Sequence, residues 1–228
     1  MKITLVAKNN ICQDTLEYLF KPKKKINFFP GDFIYLTLPQ KLISDPRGNT
    51  RQFSLSSSPD GGLLSIVFRK GISNYKKSLQ DIPLHTEFEV DSPMGLLHLE
   101  ENDFGPHVFI AGGVGIAPFR SRFKHNIDKD LGIPMHVIYS NSTPETTAYK
   151  DDFDTWCKLH DYLTIDYIFT EDMGRLTSEK LKQLTHTFSP ATKYWLTGSP
   201  AFVDSIEEML RKLKIRPNKI ITEKFTGY

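Results

Sequence analysis

The stretch that decides the fold runs from Phe109 to Ser121 and reads FIAGGVGIAPFRS. An apolar run followed by closely spaced glycines is typical of a β-strand that turns directly into a helix. Glycines let the backbone approach a ligand closely, and the N–H groups and dipole of a helix start attract an anion. Pro118 stands where the dinucleotide fingerprint has its third glycine, and it suits a first helical turn. The stretch by itself predicts either a nucleotide site or a purely structural turn.

From about residue 107 onward, strand and helix patterns alternate. This alternation predicts a five-stranded parallel sheet with right-handed crossovers, for which we take the doubly wound strand order 3-2-1-4-5. In that order the glycine turns 112–115 and 197–200 meet where the strand order reverses, which is where such sheets bind ligands. The predicted strands are 107–111, 135–140, 163–169, 193–197 and 219–225, and the predicted helices are 118–127, 147–160, 178–185 and 201–213.

The first hundred residues have a different pattern, with short alternating runs separated by Gly, Pro, Asn or Asp. These features predict an antiparallel β-barrel or sandwich, interrupted by one helix that begins near Ser73. A polar stretch from Glu100 to Asp103 separates the two patterns, so we expect two domains, 1–102 and 103–228. The predicted strands of the first domain are 3–7, 15–20, 32–38, 52–56, 63–69 and 87–91.

Composition indicates an ordinary globular protein. The chain has 228 residues, 39% hydrophobic and 25% charged, and its net charge of +2 is too small to imply a nucleic-acid partner. Cys12 and Cys157 lie far apart, with no zinc or iron-sulfur spacing, and are expected to be free thiols in a reducing compartment. No signal-peptide core or membrane-spanning stretch is apparent, so we expect a cytoplasmic protein with no metal site and no membrane partner.

Three motifs in a fixed order resemble the ferredoxin-NADP reductase family: Arg51-Gln52-Phe53-Ser54, Gly71-Ile72-Ser73-Asn74-Tyr75 and Gly112 to Ser121. Matches at Asp91-Ser92-Pro93-Met94-Gly95, Trp195 to Pro200 and Ile221 to Phe225 extend the resemblance over essentially the whole chain. The resemblance implies a flavin-binding β-barrel followed by an NAD(P)-binding α/β domain. It also implies FAD as the cofactor and NADH or NADPH as the electron donor.

For the first domain, the resemblance implies that Arg51 and the turn after Gly71 hold the diphosphate of FAD. Phe53 replaces the family's usual tyrosine and would stack on the flavin, and Ser54 would lie near flavin N5. From the residues alone, Arg51 is also readable as a surface ion-pair partner and Phe53 as a core aromatic. The other implied flavin contacts are Gln52, Val67, Phe68, Arg69, Ile72, Ser73 and Asn74, with either Phe225 or Tyr228 as the aromatic that covers the flavin.

For the second domain, the resemblance implies that Thr197, in place of the family's cysteine, lies beside the nicotinamide. Glu223 resembles the carboxylate near the transfer site, and Ser54, Thr197 and Glu223 form the implied catalytic set. The strand end 139–142 has neither an acid for a ribose 2′-hydroxyl nor an arginine for a 2′-phosphate, so the choice between NADH and NADPH stays open. The implied dinucleotide contacts are Gly112, Gly113, Gly115, Pro118, Thr197, Gly198 and Pro200.

The implied electron acceptor is a separate molecule: a ferredoxin, a flavodoxin, an oxygenase component or a small molecule such as a quinone. The basic run from Lys21 to Lys25 is interpreted as a surface that steers an acidic carrier or as a solvated loop. Two alternative functions fit the same sequence. One is an NAD(P)H-dependent reductase of free flavin, and the other is a non-catalytic nucleotide-binding sensor or subunit with the same fold.

Overall fold

A computed structural model describes residues 1–39, 45–71, 73–186 and 188–225, which form two compact units. The first unit contains residues 1–98 together with 117–128, and the second contains 99–116 and 129–225. The helix 117–128 therefore belongs by its contacts to the first unit, although the chain reaches it from a strand of the second. The domain limits 1–102 and 103–228, with their ligand assignments, stay a prediction.

The first unit is built on a six-stranded sheet with the order β4-β3-β6-β1-β2-β5. Neighbouring strands are antiparallel, and an antiparallel bridge between Leu55 and Ile66 joins the two ends of the sheet into a barrel. The predicted strands are all present; β1 continues five residues beyond its predicted end at residue 7, and the other strand ends differ by no more than two residues. The strands are β1 Lys2–Cys12, β2 Thr15–Pro22, β3 Phe33–Thr37, β4 Thr50–Ser54, β5 Leu64–Arg69 and β6 Glu87–Val90.

Helix α1, Asn74–Asp81, covers the barrel and begins where the sequence predicted. The Ser73 hydroxyl caps it by accepting the N–H of Lys76. Two buried tyrosine hydroxyls fasten α1 to the strands, because Tyr18 Oη donates to the Leu79 carbonyl at 2.9 Å and Tyr75 Oη donates to the Leu36 carbonyl at 2.8 Å. These bonds satisfy polar groups inside an otherwise apolar core.

Helix α2, Ala117–Asp128, packs on loops of the barrel through polar side chains. Arg120 Nη1 donates to the Ser56 carbonyl at 2.9 Å, and the Ser121 hydroxyl donates to the Ser57 carbonyl at 2.6 Å. Arg122, which is 5% exposed, donates from Nη2 to the carbonyls of Pro30 and Leu97 at 2.7 and 3.0 Å. Buried carbonyls and a buried guanidinium thus satisfy one another.

The second unit is a five-stranded parallel sheet with the order β11-β10-β7-β8-β9, which confirms the predicted order. Its strands are β7 His107–Gly112, β8 Met135–Asn141, β9 Leu163–Phe169, β10 Lys193–Gly198 and β11 Ile220–Lys224. Its helices are α3 Lys150–Leu159, α4 Thr170–Met173, α5 Ser178–Thr185 and α6 Pro200–Lys212.

Two helix predictions differ from the structure in this unit. The helix predicted from residue 147 begins at Lys150, because a 3₁₀ turn with Pro144 at its first position precedes it. The four-residue α4 was not predicted, since one turn is too short for a periodic pattern to appear. No helix in the described ranges has the length and apolar character needed to span a bilayer.

Truncation of a core side chain of β10 is expected to destabilise the second unit. Leu196 is 0% exposed, so Leu196→Ala should lower the free energy of unfolding by about 2 to 5 kcal/mol through lost burial and a cavity. Leu159, which is 71% exposed, provides the matched control. Leu159→Ala should change the free energy of unfolding by no more than about 0.5 kcal/mol. Urea unfolding of both variants measures the difference, and equal losses would contradict the assigned core.

Candidate functional site

Two glycine turns of the second unit lie in direct backbone contact. After β7, the chain forms a 3₁₀ turn, Gly113–Ile116, and after β10 it turns at Gly198 into α6. A Cβ on Gly115 would lie 2.8 Å from the Thr197 carbonyl oxygen and 2.9 Å from the Gly198 Cα, so only glycine fits there without displacement. The sequence-based prediction that these two turns meet is confirmed.

The ring of Phe202 packs against Gly198. Gly198 has a φ of +151°, and a Cβ there would lie 2.9 Å from Cδ1 of Phe202. Phe202 is in the first turn of α6, and its N–H donates to the Ser199 hydroxyl at 3.3 Å. Sequence analysis did not assign Phe202 to the site, because the apolar stripe of α6 accounts for a phenylalanine at this position without any ligand.

Two buried hydroxyls hold the first glycine turn in place. Tyr139 Oη, from β8, donates to the Gly113 carbonyl at 2.9 Å. Thr197 Oγ1, from β10, donates to the Gly115 carbonyl at 2.6 Å. Because a trans peptide points its C=O and N–H in opposite directions, these bonds also fix the orientation of the following N–H groups. The structure therefore places Thr197, which is 0% exposed, as a support of the glycine turn.

Thr197 and Glu223 are register partners on neighbouring parallel strands. Glu223 is 6% exposed, and just beyond it the N–H of Phe225 donates to the Gly198 carbonyl at 2.9 Å. The structure thus brings two members of the implied catalytic set, Thr197 and Glu223, to one edge of the sheet. Ser54, the third member, ends β4 in the first unit and is 8% exposed.

In the first unit, Arg51 is held by an internal carboxylate and by a turn. Its Nη2 lies 3.1 Å from Oδ1 of Asp45, and its Nη1 donates to the carbonyls of Arg47, Gly48 and Thr50 at 3.1, 3.0 and 2.7 Å. The guanidinium carbon also lies 4.9 Å from the ring centroid of Tyr75 in a cation–π contact. Arg51 is therefore an ion-pair partner in this structure.

Positive charge gathers at the start of α1. Burial lowers the pKa of the Lys76 ammonium, and the neighbouring charges of Arg69 and Arg47 lower this pKa further. Arg47, Arg51, Arg69 and Lys76 are called the α1 cation cluster below. One carboxylate carries one negative charge, so Asp45 alone does not neutralise this cluster. Several positive charges held close together repel one another, and an anionic group such as a diphosphate would stabilise them.

The other implied flavin contacts occupy different environments. Phe53 is partly buried on the barrel core, with its ring centroid 6.2 Å from that of Tyr75 and 6.1 Å from that of Phe68. Val67 and Phe68 are 6% and 3% exposed, so these two side chains belong to the interior. The Lys76 stem lies across Gly71, whose added Cβ would be 2.6 Å from Cδ of Lys76. Ile72 and Tyr228 lie outside the described residues.

The remaining implied contacts lie on strands and at helix starts. Gln52 pairs with Tyr35 across β3 and β4, and Asn74 is the first residue of α1. Pro118 is the second residue of α2 and Pro200 the first of α6.

Residues 109–208 match the family model described as the oxidoreductase NAD-binding domain. The chain is 24% identical over 238 residues to a flavohemoprotein of Oceanobacillus iheyensis, covering 97% of this chain and 58% of that protein. It is 25% identical over 214 residues to the toluate 1,2-dioxygenase electron transfer component of Pseudomonas putida, covering 89% and 60%. The chain thus spans about three fifths of the length of these curated relatives.

Solved structures share the fold over nearly the whole chain. A cytochrome P450 reductase from Amycolatopsis superposes with a TM-score of 0.83 at 20% identity, covering 99% of this chain and 70% of that one. Ferredoxin-NADP+ reductase from Plasmodium falciparum superposes with a TM-score of 0.81 at 15% identity, covering 98% and 95%.

The antiparallel barrel and the parallel sheet, in which residues 109–208 match an oxidoreductase NAD-binding domain, form the two-part fold seen in ferredoxin-NADP+ reductase. The chain shares this fold over nearly its whole length, and the resemblance predicted from its motifs is confirmed.

The support that Thr197 gives to the glycine turn is testable by removing its hydroxyl. Thr197→Val keeps the shape but leaves the Gly115 carbonyl without its donor, which should lower the free energy of unfolding by about 1 to 3 kcal/mol. Thr197→Ser keeps the donor hydroxyl and should lower the free energy of unfolding less than Thr197→Val does. Urea unfolding measures the free energy of unfolding of both variants, and a valine variant as stable as the wild type would show that the hydrogen bond has no stabilising role.

Proposed function

We propose that the chain is an NAD(P)H-dependent reductase that holds FAD and passes electrons to a separate acceptor. The observation that carries the proposal is the backbone contact between the turn at Gly115 and the turn at Gly198, within a segment that matches an oxidoreductase NAD-binding family. Glycine turns that precede helices at the carboxyl edge of a parallel sheet suit the pyrophosphate of a dinucleotide.

The α1 cation cluster supports FAD as the flavin. Its guanidinium and ammonium groups, together with the N–H groups at the start of α1, would hold the diphosphate. When bound, FAD would supply the chemistry of accepting a hydride and releasing electrons one at a time. Phe53 would offer an aromatic face without the hydroxyl that a tyrosine carries.

Each member of the proposed catalytic set has a role that its own atoms allow. The Ser54 hydroxyl would donate a hydrogen bond towards flavin N5. The Thr197 hydroxyl acts through Gly115, so we assign it as a positioning residue that holds the dinucleotide turn. The Glu223 carboxylate, in register with Thr197, would accept hydrogen bonds from a polar substituent of the nicotinamide. Phe225, two residues after Glu223, would be the aromatic that covers the flavin.

The acceptor is proposed from the relatives. The relatives include electron transfer components of dioxygenases, a cytochrome P450 reductase and a ferredoxin-NADP+ reductase, which supports an oxygenase component or a ferredoxin as the partner. Each of these relatives is longer than the matched region, so the acceptor of this chain is not inherited from any one of them.

A second candidate, an NAD(P)H-dependent reductase of free flavin, is favoured by one specific observation. Arg51, the implied diphosphate ligand, is engaged by Asp45 and by three carbonyls. A protein whose phosphate donors are already occupied holds a flavin nucleotide less tightly.

Reduction of the bound flavin tests the proposed activity. The protein is reconstituted with FAD and mixed anaerobically with NADH or NADPH while the oxidised-flavin absorbance is followed. Loss of the band with one coenzyme is expected, and it identifies the preferred donor. Turnover of added riboflavin by a protein that retains no FAD would favour the second candidate, and binding of NAD(P)H without loss of the band would favour a non-catalytic nucleotide-binding subunit.

Removal of one cluster charge should weaken FAD binding. Lys76→Gln deletes an ammonium that is partly buried beside Gly71, and we expect the Kd for FAD to rise by about tenfold, the value of one charge-assisted hydrogen bond. Lys77→Gln is the matched control, because it makes the same charge change at an exposed position on the same helix. Fluorescence titration with FAD measures both, and an equal effect of the two substitutions would argue against a local diphosphate site.

A further inference from the structure

One carboxylate of the first unit bonds two of the groups to which the proposed function assigns the FAD diphosphate. Asp45 Oδ2 accepts the N–H of Tyr75, in the first turn of α1, at 3.1 Å. Asp45 Oδ1 lies 3.1 Å from Nη2 of Arg51 and accepts the N–H of Arg47 at 3.0 Å. A guanidinium and the N–H groups of a helix start are also the donors that bind phosphate, so a phosphate placed there would meet groups that Asp45 already uses.

The carboxylate is fixed and ionised. Hydrogen bonds from the N–H groups of Arg47 and Tyr75, followed by the charge of Arg51, hold the pKa of Asp45 below its ordinary value. The side chain is only 3% exposed, and the N–H of Gly48 donates to the Asp45 carbonyl at 2.9 Å, closing a turn around it. The carboxylate is therefore held against its donors as an anion at neutral pH.

We propose that Asp45 is an internal anion that competes with the FAD diphosphate for Arg51 and the start of α1, and so sets the flavin preference of the protein. This inference rests on the proposed function, because it assumes that a flavin binds the first unit. An N–H group that is bonded to the Asp45 carboxylate is not available to a phosphate, so FAD binds fully only when the carboxylate leaves Arg51 Nη2 and the N–H of Tyr75. The apparent Kd for FAD equals the intrinsic Kd divided by the fraction of molecules in which the carboxylate has left these donors.

The chemistry of the ligand makes the effect selective. Riboflavin has no phosphate, so it places no anion near Arg51 and its binding does not depend on Asp45. The competition therefore narrows the advantage that the α1 cation cluster gives to FAD over riboflavin. A purely structural role for Asp45, in which it positions Arg51 for the ligand, predicts the opposite sign, because removal of the carboxylate would then weaken FAD binding.

The test compares wild-type protein with Asp45→Asn and with Asp91→Asn, which removes the same charge at an exposed position of the first unit. Each flavin-free protein is titrated separately with FAD and riboflavin while the flavin fluorescence is followed. We expect Asp45→Asn to lower the Kd for FAD by about tenfold or more and to leave the Kd for riboflavin unchanged. Asp91→Asn should change neither constant.

The outcomes separate this inference from the proposed function. If wild-type protein binds FAD and Asp45→Asn binds it equally or less tightly, Asp45 is not a competitor, whereas the reductase assignment stands. If neither protein binds FAD, both ideas fail. Circular dichroism checks that each variant is folded. If Asp45→Asn unfolds, Asp45→Glu decides, because a carboxylate displaced by one methylene should fit the donors less well and allow tighter FAD binding than the wild type.

Discussion

The close approach of two backbone turns organises the second unit. Gly115 lies so near the Thr197 carbonyl and Gly198 that a single added carbon would collide with them. This approach depends on the strand order, because β7 and β10 must be parallel neighbours whose carboxyl ends lie side by side. The Thr197 hydroxyl then bonds the Gly115 carbonyl, so the sheet, the turns and the buried hydroxyl support one another.

Electrostatics dominates the proposed flavin site in the first unit. The α1 cation cluster holds more positive charge than the Asp45 carboxylate compensates, and burial of Lys76 makes that surplus more costly. An anionic ligand would relieve this cost, while Asp45 relieves part of it without any ligand. The affinity of such a site therefore depends on the balance between an internal and an external anion, which no single motif reveals.

The motif that contains the start of helix α2 has two structural roles. The helix follows the glycine turn of the parallel sheet, yet Arg120, Ser121 and Arg122 bond carbonyls of the barrel unit. A stretch interpreted as nucleotide-binding also carries the polar groups that anchor its helix. The hydrophobic pattern did not predict this, because the anchoring residues are charged or polar and resemble a solvated helix face in sequence.

The sequence by itself determined the class of the fold. Period-two runs separated by turn residues predicted the six strands of the barrel, and alternating strands and helices predicted the parallel sheet, because backbone periodicity distinguishes the two patterns. The strand order that we took from doubly wound sheets is the one observed. The sequence also predicted the Ser73 cap and the meeting of the two glycine turns. Only the tertiary structure decided which partner each polar side chain has. Arg51 pairs with Asp45 across a turn, and Thr197 supports Gly115 from a neighbouring strand, and such contacts leave no periodic signal in the sequence.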